Sequence, residues 1–546
     1  MKNFFLLWLF FALLSCRPAE EQAISIHLNT IGYLPDSEKE ATLTGEAKQF
    51  FVKEATTDDL VFEGTASGPF SQDDVNQTVW IADFSSFTTS GTFYLELPGG
   101  SRSAEFEIGN DIYKPVFYTS MRAFYLWRCG MAVEGTHNGQ HFAHEDCHLE
   151  DGYQDYIGKA GSQRDGTGGW HDAGDYGKYT VNAGITVGML FMAWDQFQDQ
   201  LAPIVLDLPE TATGIPDFLK ELKWEIDWLL KMQYPDGSGR VSHKLTRTNF
   251  APFIKAHDDS EQRYFAAWSS AATADFVAMM AQAARYFKPY DDTYAQQCLD
   301  AALASYQFLK DNPEYQRFEQ GDFKTGGYQS ADVDDRLWAA AELWETTGDA
   351  TYMKDFEQGA AEMEFKVDEN WDWSDVSNLG MFAYALSEKE GRDPEMLERI
   401  EQNILAIADQ IVEQSDDDVY RRPLGGRYYW GCNGTVARQV INLQVASRIS
   451  PDSSYRETAL DAIGHLFGRN YYNRSYVTGL GIHPPMNPHD RNSGSDDVVE
   501  PWPGYLVGGG HSATGWNDEQ EDYATNEIAI NWQAALVYAL AGFIEN

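Results

Sequence analysis

The feature that most constrains the fold begins after Gly109-Asn110-Asp111. From there onward, stretch after stretch of the 546-residue chain carries apolar residues at helical spacing, among them YKPVFYTSMRAFYLWRCG, AAWSSAATADFVAMMAQAARYF, EMLERIEQNILAIADQIVEQ and NEIAINWQAALVYALAGFI. In IPDFLKELKWEIDWLLKMQ, the residues Ile215, Phe218, Leu219, Leu222, Ile226, Leu229 and Leu230 form one stripe, the pattern of a helix with a single buried face. Several of these stretches are rich in Ala, which lets helices approach closely, and the connections between them are long and full of Gly, Asp, Trp and Tyr. Helices must therefore pack on helices. A ring of paired helices with functional loops at one end meets that requirement, and so does a looser bundle.

Ahead of this region, from Ile24 to about Ile108, the runs SIHLNTIGYLP, QTVWIADF, GTFYLELPGG and SAEFEIG alternate apolar and polar residues between Gly, Pro and Asp. They predict the short strands of a β-sandwich. This segment holds no cysteine, so core burial must stabilise it. The chain opens with MKNFFLLWLFFALLSC, in which Lys2 precedes an apolar run from Phe4 to Leu14; this reads as an export signal, too short to span a bilayer comfortably. LLSC resembles a bacterial lipobox, which would make Cys16 the lipidated first residue of an outer-membrane lipoprotein, periplasmic or at the cell surface. A plain secretory signal is the alternative. The expected division is a signal and tether over 1–22, a sandwich over 23–110 and a helical domain over 111–546.

Charge narrows the partners. With 40 Lys plus Arg against 84 Asp plus Glu, the net charge is −44, which repels any polyanion and argues against nucleic acid. The abundant Trp and Tyr in the loops suit a groove in which flat apolar faces stack on sugar rings.

Three stretches carry candidate chemistry. In GGWHDAGDYGKY, residues 168–179, the glycines disfavour a helix, so Asp172 and Asp175 fall on a turn from which both side chains can point at one place. Adjacent carboxylates repel, and such a pair suits activation of a water molecule, although a calcium site or two turn-capping aspartates would look the same. In EDYATNEIAINWQAAL, Glu527 opens an apolar helical run where a carboxyl could stay protonated as an acid, or could sit at a helix N-terminus for electrostatic reasons alone. In GLGIHPPMNPHDR, prolines stiffen a loop that ends in His489, Asp490 and Arg491 and could hold His489 and Arg491 for hydrogen bonds to hydroxyls. Cys129, Cys147, His148 and His171 are the donor types of a closed tetrahedral zinc site. Their spacing is irregular, and two buried thiols or a Cys129–Cys147 disulfide compete with that reading. Cys298 and Cys432 read as reduced core residues.

GGWHDAGDYGKY, YVTGLGIHPPMNPHDR and EDYATNEIAINW, in this order, resemble the family 9 glycoside hydrolases. IHLNTIGYLPDSEKEATL resembles the immunoglobulin-like domain that precedes the catalytic domain in one branch of that family. The likeness runs from about Ile24 to the C-terminus. It implies an (α/α)6 barrel behind an immunoglobulin-like sandwich, and hydrolysis of β-1,4-glucosidic bonds in cellulose-like glucans with inversion, in the endo mode of a cellulase acting as a monomer. By position, Asp175 resembles the general base, Asp172 its partner in holding the water, and Glu527 the general acid, with His489 and Arg491 as the sugar-binding pair. The Cys129, Cys147, His148 and His171 set resembles a structural zinc site of the same branch. QSADVDDRLWAAAELW resembles a calcium-binding element, mapping ligands to Ser330, Asp334 and Asp335 with Asp375 as a further donor, although Asp334 and Asp335 would serve equally as first-turn acids of a helix. Trp430, Tyr428, Tyr429 and Tyr523 are candidates for sugar stacking, and His243 for a hydrogen bond to substrate. No organic cofactor is implied.

One departure bears on specificity. Many endoglucanases of the family read His-His-Arg where this chain has His489-Asp490-Arg491. Asp490 either faces a subsite, which would favour a cationic amino-sugar, or points away; separately, small loop insertions at one end of the cleft would make the enzyme exo-acting on cello- or glucosamine-oligosaccharides. A surface lipoprotein that binds glycans without cleaving them is the reading from a different class.

Overall fold

The computed structural model describes residues 24–210 and 214–545; Cys16 and the signal segment lie outside the described residues. The N-terminal part holds β1 (Ile26–His27), β2 (Glu40–Leu43), β3 (Gln49–Glu54), β4 (Leu60–Thr65), β5 (Ser67–Gln72), β6 (Gln77–Asp83), β7 (Gly91–Glu96) and β8 (Phe106–Ile108). They form two antiparallel sheets, ordered β1-β2-β6-β5 and β4-β3-β7-β8. Period-two alternation decides which side chains meet: Phe50 and Val52 of β3 and Phe93 and Leu95 of β7 turn inward, and Phe84 and Phe106 complete an aromatic core between the sheets.

The rest is helical. The elements are α1 (Tyr113–Leu126), α2 (Thr180–Leu201), α3 (Asp217–Met232), α4 (Ser270–Phe287), α5 (Asp292–Asp311), α6 (Val333–Thr347), α7 (Ala350–Glu362), α8 (Ser377–Leu386), α9 (Pro394–Asp416), α10 (Cys432–Ile449), α11 (Ser453–Leu466), the single turn α12 (Tyr523–Asn526) and α13 (Ile530–Ala541). Short strands β9 (Val133–His137) and β10 (Gln140–His144) make a hairpin, and β11 (Lys178–Tyr179), β12 (Lys244–Thr246) and β13 (Tyr264–Phe265) a small sheet. Helices α2, α4, α6, α8, α10 and α13 each pack on the next, and α13 returns to α2, closing a ring; α1, α3, α5, α7, α9 and α11 lie outside it. This is an (α/α)6 barrel.

Sequence explains which helix lies where. Inner α4, SAATADFVAMMAQAARYF, is buried on every face from Ser270 to Ala284, and its alanines let neighbours approach from both sides. Outer α9 buries only the stripe Ile400, Ile404, Ala408, Ile411 and Ser415, one face of a helix otherwise in water. Caps fix the starts: the Ser269 side chain accepts from Ala272 N at 3.1 Å, and Asp393 caps α9 with Pro394 behind it.

The sandwich is joined to the barrel by part-buried ions around the buried Arg469. Glu40 of β2 meets Arg469 at 2.8 Å and Arg421 at 3.2 Å, and Arg469 also holds Asp461 at 3.0 Å. Burial alone would raise Glu40, but the two guanidinium groups hold it down to about 2.

Candidate active site

The N-terminal ends of the inner helices open on one cleft, and the segments just ahead of them supply its walls. Asp172 and Asp175 precede α2, Tyr328 precedes α6, Trp373 precedes α8, Trp430 precedes α10 and Glu527 precedes α13. All of these line one cavity of about 430 Å³, with Phe250, Tyr179, Asn531 and Trp532. Helix N-termini aimed at the cavity favour negative charge there.

The turn bearing the aspartates closes through Asp172 N to Gly177 O at 3.0 Å. Its flanks are pinned on several sides. Trp170 donates to Glu225 and Glu221 of α3 at 2.6 and 2.9 Å, and Lys178 donates to the carbonyls of Gly166 and Gly168 and pairs with Asp151. The end of the chain is stitched onto the same turn. Ile530 N donates to Asp172 O at 2.9 Å, Ala173 bridges Ala529, and Arg491 donates from Nη1 to Gly174 O. His489 pairs with Glu527 in a further bridge. The turn, the 479–491 loop and the entry to α13 thus form one small backbone scaffold, which sets the spacing of the carboxyl groups.

Each carboxyl group has a distinct setting. Asp172 accepts from Tyr328 Oη at 2.6 Å and Asn182 Nδ2 at 2.8 Å; burial and the charge of Asp175 push it up to about 8. Asp175 accepts from Gly177 N at 2.8 Å and Tyr179 Oη at 2.9 Å. Burial, then Asp175 and Asp172, hold Glu527 well above the usual carboxylate range. The site therefore sets a hydrogen-bonded aspartate pair against a proton-retaining glutamate.

His489 Nδ1 lies 2.7 Å from Gln520 O; a carbonyl only accepts, so Nδ1 carries the proton and Nε2 is left as an acceptor. Burial lowers its pKa further. Trp430 and Tyr523 are 42% and 53% exposed and meet edge to face at 5.3 Å, with Tyr523 also against His489 at 5.9 Å. Arg491 is buried and turned to the frame, donating from Nε to Ala251 O. Tyr429 lines the cavity, whereas Tyr428 is tied to Arg422 and Asp74 on the sandwich side.

Four further sets of residues named from the sequence take definite partners. His243 is 1% exposed, with Nδ1 on Ser269 Oγ and Nε2 on Gly327 O, both at 2.8 Å, and its ring stacked on Phe318. Both nitrogens are spent inside the protein, so it supports the cavity wall and does not reach substrate. The Ser330, Asp334, Asp335 and Asp375 set lies around the starts of α6 and α8, with Ser330 Oγ and both carboxylate oxygens of Asp335 buried. Asp334 caps Val376 N at 2.7 Å, Asp375 accepts from Ser377 and pairs with Lys366, Asp335 faces Asp275, and Ser330 O accepts from Tyr315 Oη. N–H groups at the start of α8 and a lysine claim two of those carboxylates, Asp334 and Asp375. Asp490 accepts from Ser493 N and Oγ at 2.9 and 2.6 Å: it caps its own turn, away from the cavity. Cys129 and Cys147 are free thiols.

The Cys129, Cys147, His148 and His171 group does gather. One donor atom from each lies within 4.8 Å of all the others. His148 Nδ1 sits 3.2 Å from His171 Nε2 and 3.5 Å from Cys129 Sγ. Behind it, His148 Nε2 meets Asp259, which Arg247 holds at 2.5 Å. The group ties the end of α1 and the segment after β10 to the residue next to Asp172.

Several site residues escaped the sequence reading: Tyr179, Tyr328, Trp373, Phe250, Asn531 and Trp532. An available signal was the aromatic residue just ahead of or at the start of inner helices, as in KYT, WSDV and WGCN.

An aspartate pair and a buried glutamate facing one aromatic-lined cleft are the site of a glycoside hydrolase. The chain belongs to glycosyl hydrolase family 9, whose profile matches residues 113–540, and the profile of the cellulase N-terminal ig-like domain matches residues 21–102. It is 55% identical over 522 residues to endoglucanase D of Acetivibrio thermocellus, spanning 95% of this chain and 83% of that protein. Among solved structures, it resembles a metagenome-derived glycoside hydrolase family 9 endoglucanase (TM-score 0.90, 33% identity, 96% of this chain and 100% of that one). It also resembles a Zn-binding triple mutant of the family 9 endoglucanase J30 (TM-score 0.88, 32% identity, 94% and 99%).

Proposed function

We propose that the chain is an endo-acting hydrolase of β-1,4-linked glucans that inverts the anomeric carbon. Asp175 takes a proton from the attacking water while Asp172 holds that water. Glu527 gives its proton to the departing glycosidic oxygen. His489 Nε2 accepts from a sugar hydroxyl, Trp430 and Tyr523 stack on sugar rings at the rim, and Arg491 positions the turn through Gly174. The observation that carries this reading is the meeting of Asp172, Asp175 and Glu527 in one aromatic-lined cavity.

The Cys129, Cys147, His148 and His171 group is read as a structural zinc site. Tetrahedral zinc would separate two nitrogen donors by about 3.3 Å and a nitrogen from a sulfur by about 3.6 Å, close to the 3.2 and 3.5 Å between these donors. Four protein donors leave no open position, so zinc there would brace the turn next to Asp172. Export, with a lipid on Cys16, remains the reading of the N-terminus.

Digestion of a soluble β-1,4-glucan tests the proposal. Viscosity should fall well ahead of the rise in reducing ends, and proton NMR should show the α anomer appearing first. Release of monomers alone at constant viscosity would overturn the endo mode, and a first-formed β anomer would overturn inversion.

A further inference from the structure

Lys244 lies on β12, directly opposite Tyr179 of β11, and is completely buried. Its ammonium donates to Gln320 Oε1 at 2.7 Å and Gly326 O at 2.6 Å, with the Thr325 carbonyl and hydroxyl at 3.4 Å. The aromatic rings of Phe323, Phe318 and Tyr179 surround it at 4.8, 5.1 and 5.6 Å. All of its hydrogen-bond partners are neutral. A buried cation without a carboxylate in contact is costly, and a neutral amide could hold the same carbonyls. The charge must therefore serve something further off, and the carboxylate that acts on it is Asp175.

A hydrogen-bonded path leads there. Lys244 polarises the Gly326 carbonyl, Gly326 N donates to Tyr179 Oη at 3.1 Å, and Tyr179 Oη donates to Asp175 Oδ2 at 2.9 Å. We infer that Lys244 is a positioning residue for the reaction, a buried cation that, through the strap of residues 325–328 and Tyr179, holds the hydrogen bond that aligns Asp175. This rests on the reading of Asp175 as the base. The other charged and titratable groups around Asp175 are Asp172 and Tyr179 on its own segment, Glu527 ahead of α13, and His489 and Arg491 on the 479–491 loop, with Tyr328 of the strap bound to Asp172. Burial keeps His489 neutral, so the cations among these groups are Lys244 and Arg491. Burial lowers Lys244 to about 7, which leaves it charged throughout the acid range where a carboxylate titrates.

The test is the pH dependence of kcat/KM. Lys244→Met removes the cation. Gln320→Glu keeps the lysine but sets a carboxylate against it, which guards against misfolding of the first variant. Both should move the acid limb to higher pH by about half a unit to one unit, since losing a nearby opposite charge makes ionisation harder, and Lys244→Arg should return the limb toward the wild-type position. If both neutralising variants lose activity evenly at all pH values with the limb in place, Lys244 is only a structural tie and the inference fails. Asp175→Asn, assayed alongside, tests the underlying reading separately: full activity there would remove the base from Asp175 whatever the lysine variants do.

Discussion

Gly174→Ala offers a severe test of the scaffold that spaces the acids. A methyl group built at Gly174 would stand 2.0 Å from the carbonyl oxygen of His489 and 3.0 Å from its carbonyl carbon. Ordinary carbon-to-oxygen contact needs about 3.3 Å, so the turn and the 479–491 loop must part by about 1.3 Å. Neither side yields cheaply. Gly174 O is bound by the backbone N and the guanidinium of Arg491, and His489 N is bound to Asn526 O at 2.8 Å, next to Glu527. The methyl therefore drives Asp175 and Glu527 apart. A misplacement on the order of 1 Å costs about 10²-fold in rate, so kcat should fall by about that factor, with a smaller rise in KM because His489 moves with the loop. The assay is initial-rate hydrolysis of a soluble β-1,4-glucan well below the melting temperature of the variant, with Gly135→Ala as control, where an added methyl meets only ordinary contacts at 3.5 and 3.6 Å. A folded Gly174→Ala enzyme with kcat within about twofold of the wild type would refute the scaffold argument.

Three further outcomes are expected. Glu527→Gln should lower kcat on an unactivated glucan by about 10²- to 10⁴-fold and lower it far less on an aryl glycoside whose leaving group needs no proton; equal losses would remove Glu527 from the acid role. Cys147→Ser should release zinc, read by elemental analysis, and lower the melting temperature; wild-type protein that carries no metal would refute the brace. Glu40 has its folded value depressed from 4.5 to about 2, so its contribution is complete above about 4.5 and is lost as pH falls toward 2. By linkage this amounts to about 3 kcal/mol. Glu40→Gln should lower the melting temperature at neutral pH and flatten its fall in acid, and an unchanged acid slope would show that the ion network is not the source.

The elements with strong periodicity were legible because each follows from its own residues: the stripe of α3, the all-round burial of α4 and the alternation of β3. The aspartate pair was legible for a similar reason, since glycines on both sides leave little but a turn. What distant segments supply was hidden. His243 looked like a ligand because a histidine in a polar strand has no visible partner, yet Ser269, Gly327 and Phe318 come from other parts of the chain. A carboxylate that caps a helix and one that binds an ion have the same local sequence, so the partners of Asp334 and Asp375, Val376 N, Ser377 and Lys366, were visible only in the fold. Tyr328 and Lys244 reach the aspartates through a strap whose course depends on the whole barrel. Asp490 could be assigned only once its neighbours Ser493 and Asn492 were seen to satisfy it.

The stitching of α13 onto the turn before α2 also bears on how the enzyme comes into being. A ribosome delivers Asp175 early and Glu527 late, and the two have no fixed relation until the final inner helix seats and Ile530 takes the carbonyl of Asp172. Until that moment a nascent chain can expose its aromatic loops to a glucan but has no means of cutting it. Catalytic competence thus arrives together with the closing of the ring, and any lesion that loosens α13 should silence the enzyme before it unfolds the remainder.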